Sequence, residues 1–119
     1  MYDVYHYPEK FGLEIFGSLD DPEANYSFDM FVVWKDTSTG ELFFAQDAGC
    51  SCPSPFEDYT SRDDLTPIDD GGDQFFKEIM EFLSWRWTGS YFRSDKDRFD
   101  ADRTELIAKV YAHLKDLQP

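Results

Sequence analysis

This sequence lacks several features that mark particular classes of protein. Its 119 residues contain no run of about eighteen apolar residues, so we expect no helix that crosses a membrane. The opening residues, MYDVYHYPEK, have neither the basic start nor the apolar stretch of a secretory signal. We therefore expect a protein that is made and kept in a cytoplasm and has no membrane partner.

Cysteine and histidine are also scarce, with two residues of each. In a reducing cytoplasm both cysteines are expected to be thiols. A structural zinc site usually takes four protein ligands, often two pairs of cysteine or histidine. Here Cys50 and Cys52 form a single pair, and His6 and His113 lie far from it in the sequence. Metal binding at the cysteines is an alternative, but we expect no cofactor.

Basic residues are few, because 25 Asp and Glu stand against 11 Lys and Arg, a net charge of −14. The excess is confined to residues 1–73, which hold 17 acids and three bases, whereas residues 74–119 hold eight of each. A negative field repels phosphates, so we expect no direct contact with nucleic acid and favour a protein partner with a basic surface. Solubility is the alternative explanation of the charge.

The first part of the chain, residues 1–47, alternates apolar and polar residues as strands do. The stretches FGLEIFGSL, YSFDMFVVWK and LFFAQD predict antiparallel strands near 11–18, 26–35 and 42–47. Gly40 can adopt the positive φ of the turn between the last two. The stretch YDVYHY is a weaker edge-strand pattern.

The second part of the chain changes to a helical period and predicts helices over 73–87 and 95–117. The apolar stripe of the first helix is predicted to comprise Phe75, Phe76, Ile79, Met80, Leu83 and Trp87. Strands followed by helices indicate a single α+β domain over residues 1–119. We expect a small antiparallel sheet of about three strands with both helices packed on one face.

An irregular acidic loop is predicted between these parts, over residues 48–72, and loops of this length usually have a function or pack as a unit. Its prolines stiffen the backbone, and its aromatic residues can attach it to the sheet or to a helix. Ser61 and Asp64 have the spacing of a capping box. The residues predicted to give the loop its structure are Cys50, Cys52, Pro53, Pro55 and Phe56.

Catalysis by the cysteines is not expected. Asp47, Glu57 and Asp58 lie nearby, and acidic neighbours disfavour the thiolate that nucleophilic catalysis needs. A disulfide between residues two apart would close a small, strained ring. The interpretation we favour is that Cys50 and Cys52 are buried structural thiols, and we predict that the protein is not an enzyme.

The stretches FDMFVVWKD and GELFFAQDAGCSCPSPFEDY resemble the central block of small proteins of unassigned activity encoded by phages of actinobacteria. The resemblance covers roughly residues 26–68. It implies a phage gene product acting in the cytoplasm of a bacterial host, and it implies no catalytic residue.

The stretch WRWTGSYFR, residues 85–93, has the composition of a protein-binding surface, because Trp, Tyr and Arg dominate interface hot spots. Phe82 and Trp85 fall outside the apolar stripe of the predicted helix, so one or both are expected to be exposed. The predicted contact residues in this stretch are Trp85, Arg86, Tyr91, Phe92 and Arg93. For a partner with a basic surface, the predicted contacts are Asp63, Asp64, Asp69 and Asp70.

Three functions are compatible with these patterns. The first is a non-enzymatic phage accessory protein that binds a host or phage protein. The second is an acidic mimic of nucleic acid that occupies the basic site of a DNA-binding protein. The third is a small metal-binding or cysteine-dependent protein.

Overall fold

The structure, a computed structural model, describes residues 1–24, 26–50 and 54–118. Its centre is a four-stranded antiparallel sheet in the order β1-β2-β3-β4. The strands are β1 (Leu13–Asp20), β2 (Ser27–Asp36), β3 (Leu42–Cys50) and β4 (Thr66–Pro67). The helices are α1 (Asp73–Glu81) and α2 (Arg93–Leu117), with short 3₁₀ helices at Pro8–Phe11, Arg62–Asp64 and Ser84–Thr88. The predicted α+β class is confirmed.

Both helices pack on one face of the sheet. Successive side chains of a strand point to opposite faces, so Phe31 and Val33 of β2 lie on the same face. That face packs against the helices. Phe31 stacks on Phe44 of β3 and meets the ring of Phe75 of α1 edge-on. We call this the helix-side core, and its buried residues are Leu19, Phe31, Val33, Leu42, Phe44, Ile68, Phe75, Ile79, Phe82, Leu83, Phe99, Leu106, Val110 and Leu114.

A second core covers the opposite face of the sheet. Trp34 of β2 is fully buried there, and its Nε1 donates to the carbonyl oxygen of Val4 at 2.9 Å. Phe56 is also fully buried, with its ring perpendicular to that of Trp34 at 5.3 Å. We call this the loop-side core, and its buried residues are Val4, Leu13, Met30, Val32, Trp34, Phe43, Ala45, Phe56 and Leu65.

The N-terminal residues form turns and a 3₁₀ helix, and the edge strand suggested by YDVYHY is absent from this described segment. The carboxylate of Asp3, which is 8% exposed, accepts the backbone N–H groups of Tyr5 and His6 at 2.9 and 2.7 Å. This local hydrogen bonding competes with strand pairing. The turns place Val4 over Trp34 and so close the loop-side core.

Strand β1 contains a bulge that the alternating pattern did not indicate. Its register with β2 shifts between Ile15 and Gly17. The extra residue of a bulge moves the side chains that follow it to the opposite face of the sheet. Leu13 therefore lies in the loop-side core and Leu19 in the helix-side core. Ile15 is left exposed.

The first helix is shorter than the predicted 73–87. It ends at Glu81, because Phe82 leaves helical geometry at ψ 122° and Leu83 has a left-handed φ of 58°. This break turns Phe82 and Leu83 into the helix-side core. Of Phe82 and Trp85, one or both of which were expected to be exposed, Trp85 is the exposed one.

The break also changes the apolar face of α1. Phe76 and Met80, predicted as part of the buried stripe, are 44% and 40% exposed. Helix α2 begins at Arg93, two residues before the predicted start. Across the described ranges, neither helix is long and apolar enough to cross a membrane.

Candidate functional site

The segment between the two helices, residues 82–92, is fixed at its centre by Arg86. The guanidinium Nε lies 3.1 Å from Asp21 Oδ2, and Nη2 lies 3.1 Å from Glu23 Oε1. The side chains of these three residues are only 25%, 9% and 10% exposed. Arg86 was predicted to contact a partner, but its guanidinium forms ion pairs with two carboxylates of the protein itself. It positions the segment on the β1–β2 turn.

Glu23 also holds the end of this segment. Its Oε2 accepts the backbone N–H of Phe92 at 2.7 Å, immediately before α2 begins. One carboxylate therefore joins the centre of the segment to its end. Hydrogen bonds to a charged acceptor are stronger than neutral ones, so this contact fixes the backbone that carries the aromatic residues.

Carboxylates crowd the turn beneath Arg86. Burial raises the pKa of Asp29, and the nearby charges of Asp21 and Asp47 raise it further. Burial likewise raises the pKa of Asp20, with a smaller contribution from Asp102. A positive guanidinium is electrostatically favoured in such surroundings, which explains why the chain places Arg86 there.

Two aromatic side chains of the segment are presented to solvent. Trp85 is 63% exposed and Phe92 is 73% exposed. Arg93 follows with a side chain that is 85% exposed, and its Nε lies 3.6 Å from Asp97 Oδ1 in an exposed pair. We call Trp85, Phe92 and Arg93 the aromatic surface.

The other two aromatic residues of the stretch pack inward. Tyr91 is half-buried with its ring perpendicular to that of Trp87 at 5.3 Å. Trp87 in turn packs on Phe99 at 5.5 Å. Of the five residues predicted as contacts, Tyr91 and Arg86 thus support the segment from within.

Two of the four predicted acidic contacts, Asp64 and Asp69, accept local backbone hydrogen bonds. Asp64 forms the capping box indicated by the sequence, since its Oδ2 accepts the N–H of Ser61 at 3.1 Å while the side chain of Ser61 accepts the N–H of Asp63 at 3.1 Å. Asp69 Oδ1 accepts the N–H of Gly72 at 2.7 Å. All four acids, including Asp63 and Asp70, have exposed side chains.

The loop after β3 is attached to the sheet by Asp36, a residue that sequence reasoning did not select. Its Oδ1 accepts the N–H groups of Ser38 and Thr39 at 2.7 and 2.9 Å, and its Oδ2 lies 2.7 Å from Arg62 Nη2. The hydrogen bond from Thr39, followed by those from Arg62 and Ser38, lowers the pKa of Asp36 to about 2. Arg62 is the single base among residues 48–73. Its isolation among acidic residues was the one sequence signal that could have indicated an ion pair there.

The loop also contacts β3 directly. The N–H of Phe56 donates to Asp47 Oδ2 at 2.7 Å, and the hydroxyl of Tyr59 donates to the carbonyl oxygen of Gln46 at 2.9 Å. Phe56 has a positive φ of 61°, which a buried aromatic residue adopts only when its surroundings impose it. The loop is thus built around Phe56, with Pro55 half-buried beside it.

Cys50 lies at the end of β3 and is exposed, in contrast to the expected buried thiol. Cys52 and Pro53 lie outside the described residues. Within the described ranges, no group of three or more His, Cys, Asp or Glu side chains is placed to hold a metal ion.

The family described as Domain of unknown function (DUF7574) matches residues 2–110. The chain belongs to the DUF7574 family. No curated protein and no solved structure matches the chain. The DUF7574 match spans all four strands, α1, the aromatic surface and most of α2, a much longer part of the chain than residues 26–68.

Proposed function

We propose that this DUF7574 protein is a non-enzymatic binding protein that contacts a protein partner through the aromatic surface. The observation that carries the proposal is the exposure of Trp85 and Phe92, 63% and 73%, on a backbone that Glu23 and Arg86 hold in place. Large exposed aromatic side chains on a fixed segment are typical of interface hot spots.

The energetics favour this use of the segment. Full burial of a large apolar side chain contributes about 1.5–3 kcal/mol, and Trp85 and Phe92 leave most of that contribution unrealised in the free protein. A partner that covers them gains this energy. Because the segment is already fixed by Glu23, binding costs less conformational entropy than it would for a mobile loop.

The resemblance of residues 26–68 to proteins of actinobacterial phages supports the setting that we propose. In that setting the chain is a phage accessory protein in the cytoplasm of the bacterial host. Its partner is then a host protein or another phage protein.

Mimicry of nucleic acid is the alternative that the charge suggested, and the fold offers less support for it. Asp21, Glu23 and Asp36, three of the 17 acids in residues 1–73, pair with arginines inside the protein. Part of the negative charge therefore stabilises the fold. We do not propose a metal-dependent or cysteine-dependent activity.

The proposal is tested by affinity capture from a lysate of an actinobacterial host, with wild-type protein and the double variant Trp85→Ala, Phe92→Ala as baits. A recovered protein is then purified and titrated against both. We expect the double variant to bind at least about thirtyfold more weakly, which corresponds to about 2 kcal/mol.

The matched control is Tyr2→Ala, which removes an aromatic side chain that is 51% exposed at the N-terminal segment. It should bind like the wild type. Equal binding by the double variant and the wild type would contradict the proposal. Binding that competes with duplex DNA and weakens steeply with salt would favour mimicry instead.

A further inference from the structure

A groove of about 490 Å³ lies between the C-terminal turn of α2 and the edge of the sheet formed by β3 and β4. Leu42, Ile68 and Leu114 line it from the helix-side core and are almost fully buried. Leu117 stands at its margin and is 44% exposed. The groove therefore combines an apolar floor with one apolar side chain that is available for contact.

The rim of the groove is acidic. Glu41, Asp69 and Asp70 line it, and all three side chains are exposed. The lining contains no lysine, arginine or histidine. Over the described part of the chain, none of these three carboxylates forms an ion pair. The negative charge of the rim is thus unneutralised within the protein.

The walls of the groove are held in position. His113 of α2 lies with Nε2 2.7 Å from the carbonyl oxygen of Gly40, in the turn between β2 and β3. The N–H of Ile68 donates to the carbonyl oxygen of Leu42 at 2.8 Å. A Cβ at Gly40 would lie 3.0 Å from Leu117 Cδ2, so the helix end and the turn are in close contact. The groove exists before any ligand binds.

We infer that this groove binds a short basic segment of a partner protein, with an apolar side chain against Leu117 and flanking lysines or arginines beside Glu41, Asp69 and Asp70. The charge of the rim selects this occupant. A second copy of the chain would bring the same carboxylates and another net charge of −14 to the interface. This site is separate from the aromatic surface, and the inference does not depend on the function proposed above.

The test uses a soluble synthetic peptide in which two leucines are flanked by lysines, titrated into isotopically labelled full-length protein at low salt and followed by NMR. We expect saturable shifts centred on Leu117, Ile68 and Thr39. A second peptide with glutamines in place of the leucines should bind more weakly, because it keeps the charge but loses the apolar contact.

Two variants with an equal change in charge distinguish binding at the groove from attraction by the overall negative charge of the protein. Glu41→Gln, Asp69→Asn, Asp70→Asn should weaken binding of the leucine–lysine peptide by about tenfold or more. The control Glu9→Gln, Glu57→Gln, Asp58→Asn alters exposed acids outside the groove and should weaken it by no more than about threefold. Thermal melts check that both variants fold.

A third variant, Leu117→Gln, should reduce binding of the leucine peptide and leave binding of the glutamine peptide unchanged. Three results would overturn the inference: equal weakening by the two charge variants, shifts centred away from the groove, or no saturable binding by folded wild-type protein.

Discussion

Glu23 and Arg86 form an ion pair of 3.1 Å between the β1–β2 turn and the segment that joins the two helices. The same carboxylate accepts the N–H of Phe92 at 2.7 Å. Glu23 therefore fixes the segment that carries the exposed side chains of Trp85 and Phe92.

Replacement of Glu23 by alanine should destabilise the protein by about 1–3 kcal/mol, because it leaves a largely buried guanidinium with one partner fewer and the N–H of Phe92 without an acceptor. Urea unfolding measures this difference. The control is Glu14→Ala, which removes an exposed ion pair with Lys35 and should cost less than about 1 kcal/mol. Equal effects of the two substitutions would show that Glu23 does not fix the segment.

Asp36 should make stability depend on pH in the acidic range. Its pKa in the folded protein is about 2, below the ordinary value of 3.8. A depressed folded pKa contributes stability that is complete above the unfolded value and is lost as the pH falls through the folded one. The urea concentration at the midpoint of unfolding should therefore decrease as the pH is lowered from about 4 to about 2.

The Asp36→Asn variant isolates this contribution. It should be less stable than the wild type at neutral pH, and its unfolding midpoint should fall less steeply between pH 4 and pH 2. Asp63→Asn, which changes an exposed acid, should keep the slope of the wild type. If Asp36→Asn keeps that slope as well, Asp36 is not the group responsible.

Much of the architecture follows from alternation in the sequence. Residues 31–34 of β2 are apolar on both sides of the strand, and the structure buries both sides. The second core could have been predicted from this pattern alone. The residues that pack over this core could not have been predicted, because Phe56 and Val4 come from irregular segments without periodicity.

The candidate site was harder to predict than the fold. No glycine or proline marks the end of α1 at Glu81, and the left-handed φ of Leu83 arises because packing buries that side chain. A sequence can show that Arg86 and Glu23 have opposite charges, but their pairing depends on the position of the turn in three dimensions. The helical stripe left out both Phe82 and Trp85, and the sequence could not show that Trp85 is the exposed one of the two.

Phe56 should be essential to the loop-side core. Phe56→Ala removes a fully buried ring beside Trp34 and should cost about 3–5 kcal/mol. Phe76→Ala removes a ring that is 44% exposed and should cost far less. Denaturant unfolding compares the two, and similar losses would contradict the role assigned to Phe56.

Helix α2 packs closely against Gly17, beside the bulge in β1. A Cβ at Gly17 would lie 2.6 Å from Leu106 Cδ1, so Gly17→Ala should destabilise by about 1–3 kcal/mol. Shortening Leu106 to alanine relieves the clash, so the double variant should be more stable than the sum of the single effects predicts. Gly89→Ala is the control, because no heavy atom lies within 4 Å of its Cβ position. Additive effects at Gly17 and Leu106 would show that the two do not collide.

The aromatic surface is tested most directly by Trp85→Ala, measured by a thermal melt beside a binding titration with the purified partner. Because Trp85 is 63% exposed, the melting temperature should stay within about 2 °C of the wild type. Affinity should fall by about tenfold or more, as expected for a hot-spot residue. A variant that melts like the wild type and binds with unchanged affinity would contradict the proposal that this surface binds the partner.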